Sequence, residues 1–176
     1  QNLQLEALNR TDALTGLDSR AYWQSQAEHQ LHRRHAKGHD ATLLLVDVDR
    51  FKDINDRHGH ALGDDVLREV GQHVRRAARP AGHAGRLGGD EFAVALPAGA
   101  AAAAAVAEQL RREVADLRFA KAPDLQVSIS IGLATAADHD IELADWMETA
   151  DRALYEAKRE GRNRVAVLTS PAKPGA

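Results

Sequence analysis

Two short apolar segments with glycines between them stand near the middle of the chain, in Ala84-Gly85-Arg86-Leu87-Gly88-Gly89-Asp90-Glu91-Phe92-Ala93-Val94-Ala95-Leu96. We expect strands over Ala84–Leu87 and Phe92–Leu96, joined by a hairpin connection longer than the tightest two-residue turns. The glycines permit positive φ and let a ligand approach the backbone. The adjacent carboxylates of Asp90 and Glu91 repel each other, a cost that a divalent cation relieves. The alternative is an ordinary exposed turn, because Gly-Gly-Asp is also favourable turn chemistry.

A second acidic pair ends the most apolar segment upstream of the hairpin. Thr42–Val48 is almost continuously apolar, which predicts a central strand buried on both faces. Asp47 and Asp49 stand at its exit, and a buried carboxylate must be paired or hold a cation. The alternative is that both aspartates only reach solvent at the strand end. A long polar loop is predicted to follow over Asp49–His60.

The segment after this strand carries residues suited to a guanine base. Apolar residues recur at helical spacing from Leu62 to Ala77, so the polar loop leads into a helix N-terminus, which suits anion binding. Guanine presents two neighbouring donors beside an acceptor. A carboxylate such as Asp64 accepts from the donors, and an amide such as Asn55 both donates and accepts. The alternative is that Asp64 only caps its helix.

The remaining segments alternate between helix and strand. Ser19 is a suitable N-cap for a helix running to about Ala36, with Tyr22, Ala27 and Leu31 toward the core. Later segments predict a helix over Ala100–Leu117, a strand through Val127, Ile129 and Ile131, a helix over Glu142–Arg159, and a short strand over Val165–Leu168. The fold class is therefore α/β or α+β, with a central mixed sheet of about five strands flanked by helices.

Composition excludes several classes of protein. The chain has 176 residues, which fits one domain. Its 23 Lys and Arg against 26 Asp and Glu give a formal net charge of −3, and no aromatic residues interleave its basic clusters, so we expect no nucleic-acid partner. The absence of cysteine excludes disulfides and thiolate chemistry. No apolar run approaches the roughly 18 residues of a membrane span, so we expect no membrane contact by this domain.

The chain ends suggest how the sequence is divided. It begins at Gln1, and Met147 is its only methionine, so we expect an upstream part. Residues 1–10 predict the end of an incoming connector helix, residues 11–168 the domain, and residues 169–176 a loose tail. The apolar residues Leu3–Leu8 are too few for a coiled coil. Whether the upstream part crosses a membrane is left open.

Four segments in order resemble the GGDEF domains of the diguanylate cyclase family. Arg86–Phe92 contains the pentapeptide that names the family, and Asp47–Asp56 with the following Gly59-His60 and Gly63-Asp64 is similar to its metal and guanine segment. Asp12–Leu17 resembles the family's N-terminal motif, and Tyr155–Asn163 its closing helix. The resemblance covers about Thr11 to Val167 and implies the palm fold of nucleotide cyclases and polymerases, with the pentapeptide on a β-hairpin.

The resemblance also implies a reaction. Two GTP molecules, one on each of two facing domains, condense to cyclic di-GMP and two pyrophosphates. Each 3′-hydroxyl attacks the α-phosphorus of the other GTP, with Mg²⁺ as the cofactor and Mn²⁺ as an alternative. The implied partners are GTP, a second copy of the domain and an upstream sensor or regulatory region. We expect the domain to act in the cytoplasm.

The resemblance assigns the acidic residues to metal and catalysis. Asp47, the Val48 carbonyl and Asp90 are the implied metal ligands. Asp90 is also the candidate for activating the attacking hydroxyl, and Glu91 for assisting a second ion or that hydroxyl. Asp49 receives no role.

The implied substrate-binding residues divide by the part of GTP that each contacts. They are the backbone of Phe51 and Lys52 and the side chains of Lys52, Lys158 and Arg162 for the phosphates, Asn55 and Asp64 for guanine, and His60 for the ribose. The alternative for Lys158 and Arg162 is a solvated basic helix end that is favourable to the helix dipole.

The family's inhibitory product site is degenerate in this sequence. Many relatives carry Arg-x-x-Asp five residues before the pentapeptide, and the stretch here is Arg79-Pro80-Ala81-Gly82. Arg79 is kept, but Gly82 stands in place of the aspartate. We therefore expect no product inhibition through this allosteric site.

Two other functions compete with the diguanylate cyclase. A regulatory module would hold GTP or cyclic di-GMP without making product, and such relatives lose acidic residues that this chain keeps. A mononucleotide cyclase shares the two-metal logic, but the guanine and GGDEF segments argue against it. Resolving the products formed from GTP and Mg²⁺ by mass separates all three.

Overall fold

The computed structural model describes residues 9–37, 40–136 and 141–169. The helices and strands within these ranges are α1 (Arg20–Lys37), β1 (Thr42–Val48), α2 (Phe51–His58), α3 (His60–Ala78), β2 (His83–Gly88), β3 (Glu91–Leu96), α4 (Ala100–Ala115), β4 (Ile129–Thr135), α5 (Leu143–Arg159) and β5 (Val165–Thr169). Residues 1–8 of the predicted connector helix and residues 170–176 of the predicted tail lie outside them. The predicted start of the tail at residue 169 is wrong, because Thr169 is the last residue of β5. No helix within the described ranges has both the length and the apolar character needed to cross a bilayer.

A mixed five-stranded sheet forms the centre of the domain, in the order β2-β3-β1-β4-β5. The central strand β1 pairs antiparallel with β3 and β4, and β5 runs parallel to β4. The predicted mixed sheet with Thr42–Val48 at its centre is confirmed. The N-terminal segment runs along the outer edge of β2, where the Asp18 N–H donates to Ala84 O at 3.2 Å and the Arg86 N–H to Asp18 O at 3.0 Å. This pairing covers one edge of the sheet.

Helices cover both faces of the sheet and create two cores. Leu44 and Val46 of β1 enter the core that contains the apolar residues of α3 and α4. Leu43 and Leu45 enter the core that contains those of α1 and α5. Because side chains alternate along a strand, Asp47 projects to the same face as Leu43 and Leu45. The side chain of Asp47 therefore faces α5.

The predicted polar loop over Asp49–His60 is wrong, because its middle part forms α2. Arg50 begins the helix in the left-handed conformation, with φ 53°, and Gly59 separates α2 from α3 with φ 89°. Ile54 is the one residue of α2 that is buried. Helical periodicity needs at least two apolar residues one turn apart to be visible in a sequence. A helix this short and polar forms because it packs on α3, not because of its own pattern.

Three smaller expectations also change. The hairpin connection is a two-residue turn at Gly89-Asp90, because β2 extends to Gly88 and β3 begins at Glu91. The strand expected from Val127 begins at Ile129 and extends to Thr135, with both faces buried. In α1 the buried aromatic residue is Trp23, at 0% exposure, rather than Tyr22. Trp23, Ala27 and Leu31 form a stripe at four-residue spacing that faces the sheet.

Candidate functional site

The ends of β1 and β3 bring the predicted carboxylates together. Asp47 pairs with Glu91 of β3 on one side and with Ser130 of β4 on the other. Directly opposed residues of antiparallel strands project to the same face, so Asp47 and Glu91 are neighbours there. The Val48 N–H donates to Asp90 O at 3.1 Å and fixes the hairpin turn against the end of β1. Asp47, Val48, Asp90 and Glu91 thus lie together where the central strands β1 and β3 meet the hairpin turn, at one end of the sheet.

The turn that carries Asp90 is held by a residue outside the pentapeptide. Gly89 has φ 48°, a left-handed conformation that suits glycine. The Arg86 guanidinium donates to Gly89 O from Nε at 3.0 Å and from Nη2 at 2.7 Å, and to Asp12 Oδ1 from Nη1 at 3.1 Å. Asp12 also accepts a hydrogen bond from Thr15 Oγ1 at 2.7 Å. The N-terminal motif therefore braces the hairpin through Arg86, a role that the sequence did not reveal.

Asp47 is a strongly perturbed carboxylate. Burial is the largest cause that raises its pKa to about 6, and the charge of Asp90 acts in the same direction, whereas the hydrogen bond from Lys158 opposes it. Lys158 of α5 forms an ion pair with Asp47 Oδ2. Asp47 Oδ1 is buried and has no hydrogen-bond partner among the described residues. A buried oxygen with unused acceptor capacity is a suitable ligand for a cation.

Glu91 lies in a similar field. Burial raises its pKa above the ordinary value, and the negative charge of Asp151 on α5 adds to this effect, while Arg20 and Lys158 oppose it. Glu91 therefore faces α5, with charges of both signs around it. This is the electrostatic setting in which a second cation would replace the repulsion between carboxylates with attraction.

The predicted guanine residues meet where α2 packs on α3. The Asn55 side chain lies over Gly63, so that a Cβ at Gly63 would overlap Asn55 Oδ1 and lie 3.2 Å from Phe51 Cζ. Asn55 Oδ1 is buried and has no hydrogen-bond partner among the described residues. Asp64 follows Gly63 and is half-buried, and His60 lies one turn earlier on the same helix. The Asn55 amide therefore lies against the residue that precedes Asp64 on α3.

The predicted phosphate residues come from two separate segments. Phe51 and Lys52 form the first turn of α2, where backbone N–H groups have no intrahelical partner. Arg162 follows α5 with φ 64°, and its N–H donates to Ala157 O at 3.0 Å. Arg50 and Arg162 both line a cavity of about 750 Å³ beside the site. Asp49 lines the same cavity, so both segments approach the end of β1, where the predicted metal ligands Asp47 and Val48 precede Asp49.

Asp49, which received no role from the sequence, is fully engaged in hydrogen bonds at the end of β1. Its carboxylate is 8% exposed and accepts from Ser128, Ser130 and the Asn163 N–H. The signal for this arrangement was present as two serines at alternate positions of an apolar strand, since buried hydroxyls need a partner. The sequence could not indicate which carboxylate that partner is.

The degenerate allosteric stretch lies apart from these residues, at the junction of α3 and β2. A Cβ at Gly82 would lie 2.6 Å from Ala78 O and 2.7 Å from Ala95 O. Both contacts are to backbone atoms, which cannot move as a flexible side chain does. Glycine at this position is therefore dictated by packing, and the junction has no space for the aspartate side chain.

The residues at the sheet edge fit a magnesium ion with few protein ligands. Within the described ranges, no cluster of three or more His, Cys, Asp or Glu side chains is arranged to hold a metal. The predicted donor set consists instead of two carboxylates, Asp47 and Asp90, and the carbonyl of Val48. Mg²⁺ is commonly bound by one or two carboxylates together with water and substrate phosphates. The unsatisfied Oδ1 of Asp47 is the observation that supports this fit.

A mixed sheet whose central strands end in paired carboxylates defines the palm-like class of nucleotide cyclases and polymerases. Within this class the chain belongs to the GGDEF domain family, since the family model described as "Diguanylate cyclase, GGDEF domain" matches residues 9–164. The resemblance inferred from the four sequence segments is confirmed.

Individual relatives agree with this assignment. The chain is 34% identical over 166 residues to "Probable diguanylate cyclase DgcC" of Escherichia coli (strain K12), a match that covers 93% of this chain and 44% of that protein. It is 41% identical over 160 residues to "Response regulator PleD" of Caulobacter vibrioides (strain NA1000 / CB15N), covering 88% and 35%. The chain thus spans less than half the length of these curated relatives.

Solved structures agree as well. The coiled coil and GGDEF domain of DgcB from Caulobacter crescentus, in complex with c-di-GMP, superposes with a TM-score of 0.85 at 33% identity and covers 95% of this chain and 91% of that one. The diguanylate cyclase SiaD from Pseudomonas aeruginosa, in complex with its activator SiaC, gives a TM-score of 0.85 at 31% identity, covering 95% and 65%. The predicted palm-like fold is confirmed.

Proposed function

We propose that this domain is a diguanylate cyclase that condenses two GTP molecules into cyclic di-GMP and two pyrophosphates. The observation that carries the proposal is the buried, unsatisfied Oδ1 of Asp47 beside Asp90, at the sheet edge that also receives Lys158. The names of the curated relatives support the same activity. The acidic residues that a regulatory module would lose are all present in this chain.

The metal ligands in this proposal are Asp47, the carbonyl of Val48 and Asp90. Mg²⁺, with Mn²⁺ as the alternative, neutralises triphosphate charge when bound and lowers the pKa of a coordinated hydroxyl. Asp90 lies at the tip of the braced hairpin and helps to remove the proton from the attacking 3′-hydroxyl. Glu91 assists at a second ion or at the same hydroxyl.

Guanine recognition falls to Asn55 and Asp64. Asp64 accepts from the two donors of the guanine edge, and the amide of Asn55 is complementary to the neighbouring acceptor or donor. Adenine would place an acceptor against the carboxylate, which is unfavourable. His60, on the exposed side of α3, is positioned for the ribose.

The triphosphate is held by the start of α2 and the end of α5. The free N–H groups of Phe51 and Lys52 and the side chain of Lys52 donate hydrogen bonds to phosphate oxygens, as N–H groups at helix N-termini generally do. Lys158 and Arg162 add charge-assisted hydrogen bonds from the opposite side. Helix α2 therefore contributes to both guanine and phosphate binding, whereas α3 contributes to guanine binding and α5 to phosphate binding.

The reaction requires two copies of the domain. One site holds one GTP, whose 3′-oxygen forms a bond to the α-phosphorus of the second GTP while the bond to pyrophosphate breaks and the hydroxyl proton leaves. The second attack closes the ring, so the two sites face each other in a homodimer. In this proposal an upstream region supplies dimerisation and regulation. The curated relatives are more than twice as long as the part that matches this chain. GTP as substrate places the reaction in the cytoplasm.

The test is product analysis with purified protein. The chain, and the same chain fused to a dimerising coiled coil, are incubated with GTP and Mg²⁺, and the nucleotides are resolved by mass. Cyclic di-GMP and pyrophosphate in a ratio of one to two support the proposal, and Asp90→Asn serves as the inactive control. Bound GTP without product from the fused dimer would support a regulatory module instead. A 3′,5′-cyclic mononucleotide would support a mononucleotide cyclase.

A further inference from the structure

Asp49 joins three segments of the chain at the edge of the proposed active site. Its carboxylate accepts from Ser130 Oγ at 2.6 Å on Oδ1, and from Ser128 Oγ at 2.6 Å and the Asn163 N–H at 2.9 Å on Oδ2. Its own N–H donates to Ser128 O at 2.9 Å. The serines belong to β4 and the residue before it, whereas Asn163 lies in the turn after α5. The buried Asp49 carboxylate therefore connects the end of β1 with the start of β4 and with the turn after α5.

The turn after α5 has an uncommon backbone shape, which is held partly by the hydrogen bond from the Arg162 N–H to Ala157 O at 3.0 Å. Gly161, Arg162 and Asn163 have φ values of 128°, 64° and 48°, which places three consecutive residues at positive φ. Residues with a Cβ disfavour this conformation and retain it only where the surroundings hold them. The hydrogen bonds that hold Asn163 are its N–H to Asp49 and its Oδ1, which accepts from Arg111 Nη1 at 3.0 Å.

The position of Arg162 follows from this turn. Arg162 precedes the residue that Asp49 holds, and it is the proposed phosphate ligand on this side of the site. Asp49 itself follows Val48 directly and Asp47 by two residues. Asp49 is thus within two residues of the proposed metal ligands in the sequence. It is also hydrogen-bonded to the turn that carries the Arg162 guanidinium.

We propose that Asp49 is a positioning residue that fixes the position of Arg162 relative to Asp47 and Val48. Through the Asn163 N–H it fixes the turn, so that one triphosphate meets the metal ligands and the Arg162 guanidinium together. This inference rests on the proposed function in taking GTP as the ligand. The competing explanation is a purely structural role, in which Asp49 only connects β1 to β4 through its hydrogen bonds with Ser128 and Ser130.

The experiment compares Asp49→Ala, Arg162→Ala and the double variant by calorimetric titration with GTP and with guanosine, in the presence of Mg²⁺. We expect Asp49→Ala to weaken GTP binding about tenfold or more, the size of a lost charge-assisted hydrogen bond. Guanosine has no phosphate, so its affinity stays within about twofold. In the Arg162→Ala background the Asp49 substitution has no further effect on GTP, because the residue through which it acts is gone.

Two matched variants distinguish the positioning of Arg162 from a purely structural connection between β1 and β4. Ser130→Ala removes a hydrogen bond to the same carboxylate without touching Asn163, and we expect it to leave GTP affinity within about twofold. Asp49→Asn keeps the side-chain volume and one acceptor oxygen. We therefore expect its GTP affinity to lie between the affinities of the wild type and Asp49→Ala. If the alanine variant does not fold, the asparagine variant carries the comparison with Ser130→Ala.

Hydrogen exchange at the Asn163 amide gives a readout that does not depend on any nucleotide. We expect faster exchange at Asn163 in Asp49→Ala and Asp49→Asn than in Ser130→Ala, in the same order as the loss of GTP affinity. Unchanged exchange, equal losses for GTP and guanosine, or additive effects of Asp49 and Arg162 would each overturn the inference. A wild-type chain that binds GTP but forms no product would overturn only the proposed function. A wild-type chain that binds no GTP would overturn the part of the inference that concerns the triphosphate. Hydrogen exchange would still show whether Asp49 holds the turn at Asn163.

Discussion

At the scale of single residues, the site is organised around one carboxylate, Asp47. Burial and the nearby Asp90 raise its pKa, and Lys158 provides the cation that the described structure places against it. A pKa raised to about 6 means that this residue favours folding below about pH 4 and loses that contribution as the pH rises through 6. At neutral pH the ionised group therefore costs folding free energy, which is typical of a residue kept for function.

Replacing Asp47 separates function from stability. We expect Asp47→Asn to abolish cyclic di-GMP synthesis, because it removes an anionic ligand from a site dominated by cation charge. The free energy of unfolding at pH 7 is expected to stay within about 1 kcal/mol of wild type, since the variant also removes a buried charge. Synthesis assays and urea unfolding measure the two quantities. Asp53→Asn on the exposed side of α2 is the matched control, and full activity of Asp47→Asn would refute the metal assignment.

Lys158 has two partners in this scheme, Asp47 in the free domain and phosphate in the GTP complex. We expect Lys158→Met to strengthen Mn²⁺ binding in the absence of nucleotide, because the competing cation is removed, and to weaken GTP binding about tenfold or more. Paramagnetic resonance of Mn²⁺ and calorimetry measure these affinities. Opposite directions of change are the signature. A decrease in both would mean that Lys158 only stabilises the fold around Asp47.

At the scale of elements, the hairpin that carries the pentapeptide depends on the N-terminal segment. Asp12 links to Arg86, and Arg86 links to the turn carbonyl of Gly89. Burial raises the pKa of Asp12, but hydrogen bonds from Thr15 and the charge of Arg86 together outweigh it, so the pKa is lowered below 3.8. A lowered pKa in the folded state means stability that is present above pH 3.8 and is lost as the pH falls below it.

The Asp12 contacts predict a pH-dependent stability difference. We expect Asp12→Asn to lower the free energy of unfolding by about 1–3 kcal/mol at pH 7, the range for hydrogen bonds to a charged group. The difference from wild type should shrink as the pH falls below 3.8, because the unfolded wild-type chain then binds a proton at Asp12 more readily than the folded chain does. Urea unfolding at pH 7, 5 and 3 measures it, with exposed Asp56→Asn as the control. A difference that does not vary with pH would show that ionisation of Asp12 is not involved.

The junction of α3 and β2 explains the missing inhibitory aspartate. We expect Gly82→Asp to destabilise the domain by about 3 kcal/mol or more, since the new side chain overlaps two backbone carbonyls and buries a charge beside them. Cyclic di-GMP at micromolar concentration is expected to leave the turnover of the wild-type domain unchanged. Denaturant unfolding and inhibition titrations measure the two effects, with Arg79→Ala as the control for stability. A stable Gly82→Asp variant that gains product inhibition would contradict this account.

At the scale of the whole molecule, one domain supplies half of the proposed reaction. Specific activity should therefore rise with protein concentration, and a dimer enforced by a fused coiled coil should exceed the free domain at equal domain concentration. Initial rates over a dilution series, with the oligomeric state measured under the same conditions, test this expectation. Constant specific activity in a chain that is monomeric during turnover would refute it.

The amino-acid sequence alone was sufficient to predict the elements that have a strong internal pattern and the chemistry of the site residues. The apolar strand Thr42–Val48, the helix that begins near Leu62 and the existence of the hairpin that carries Asp90 were all predictable, because periodicity and turn chemistry are local properties. The length of the hairpin turn was not predicted correctly. The identities of Asp47, Asp90, Asn55 and Asp64 also indicated cations and guanine, since a functional group carries its chemistry wherever it lies.

The three-dimensional fold was needed to learn which of these groups lie together and which contacts hold them. Lys158 reaches Asp47 across 111 residues of chain, and Asn163 reaches Asp49 across 114. The helix α2, with Ile54 as its one buried residue, forms by packing on α3. Gly82 is fixed by backbone atoms of two other elements. Contacts between distant segments leave no periodic trace in a sequence, because they arise from the way the sheet and its helices pack in three dimensions.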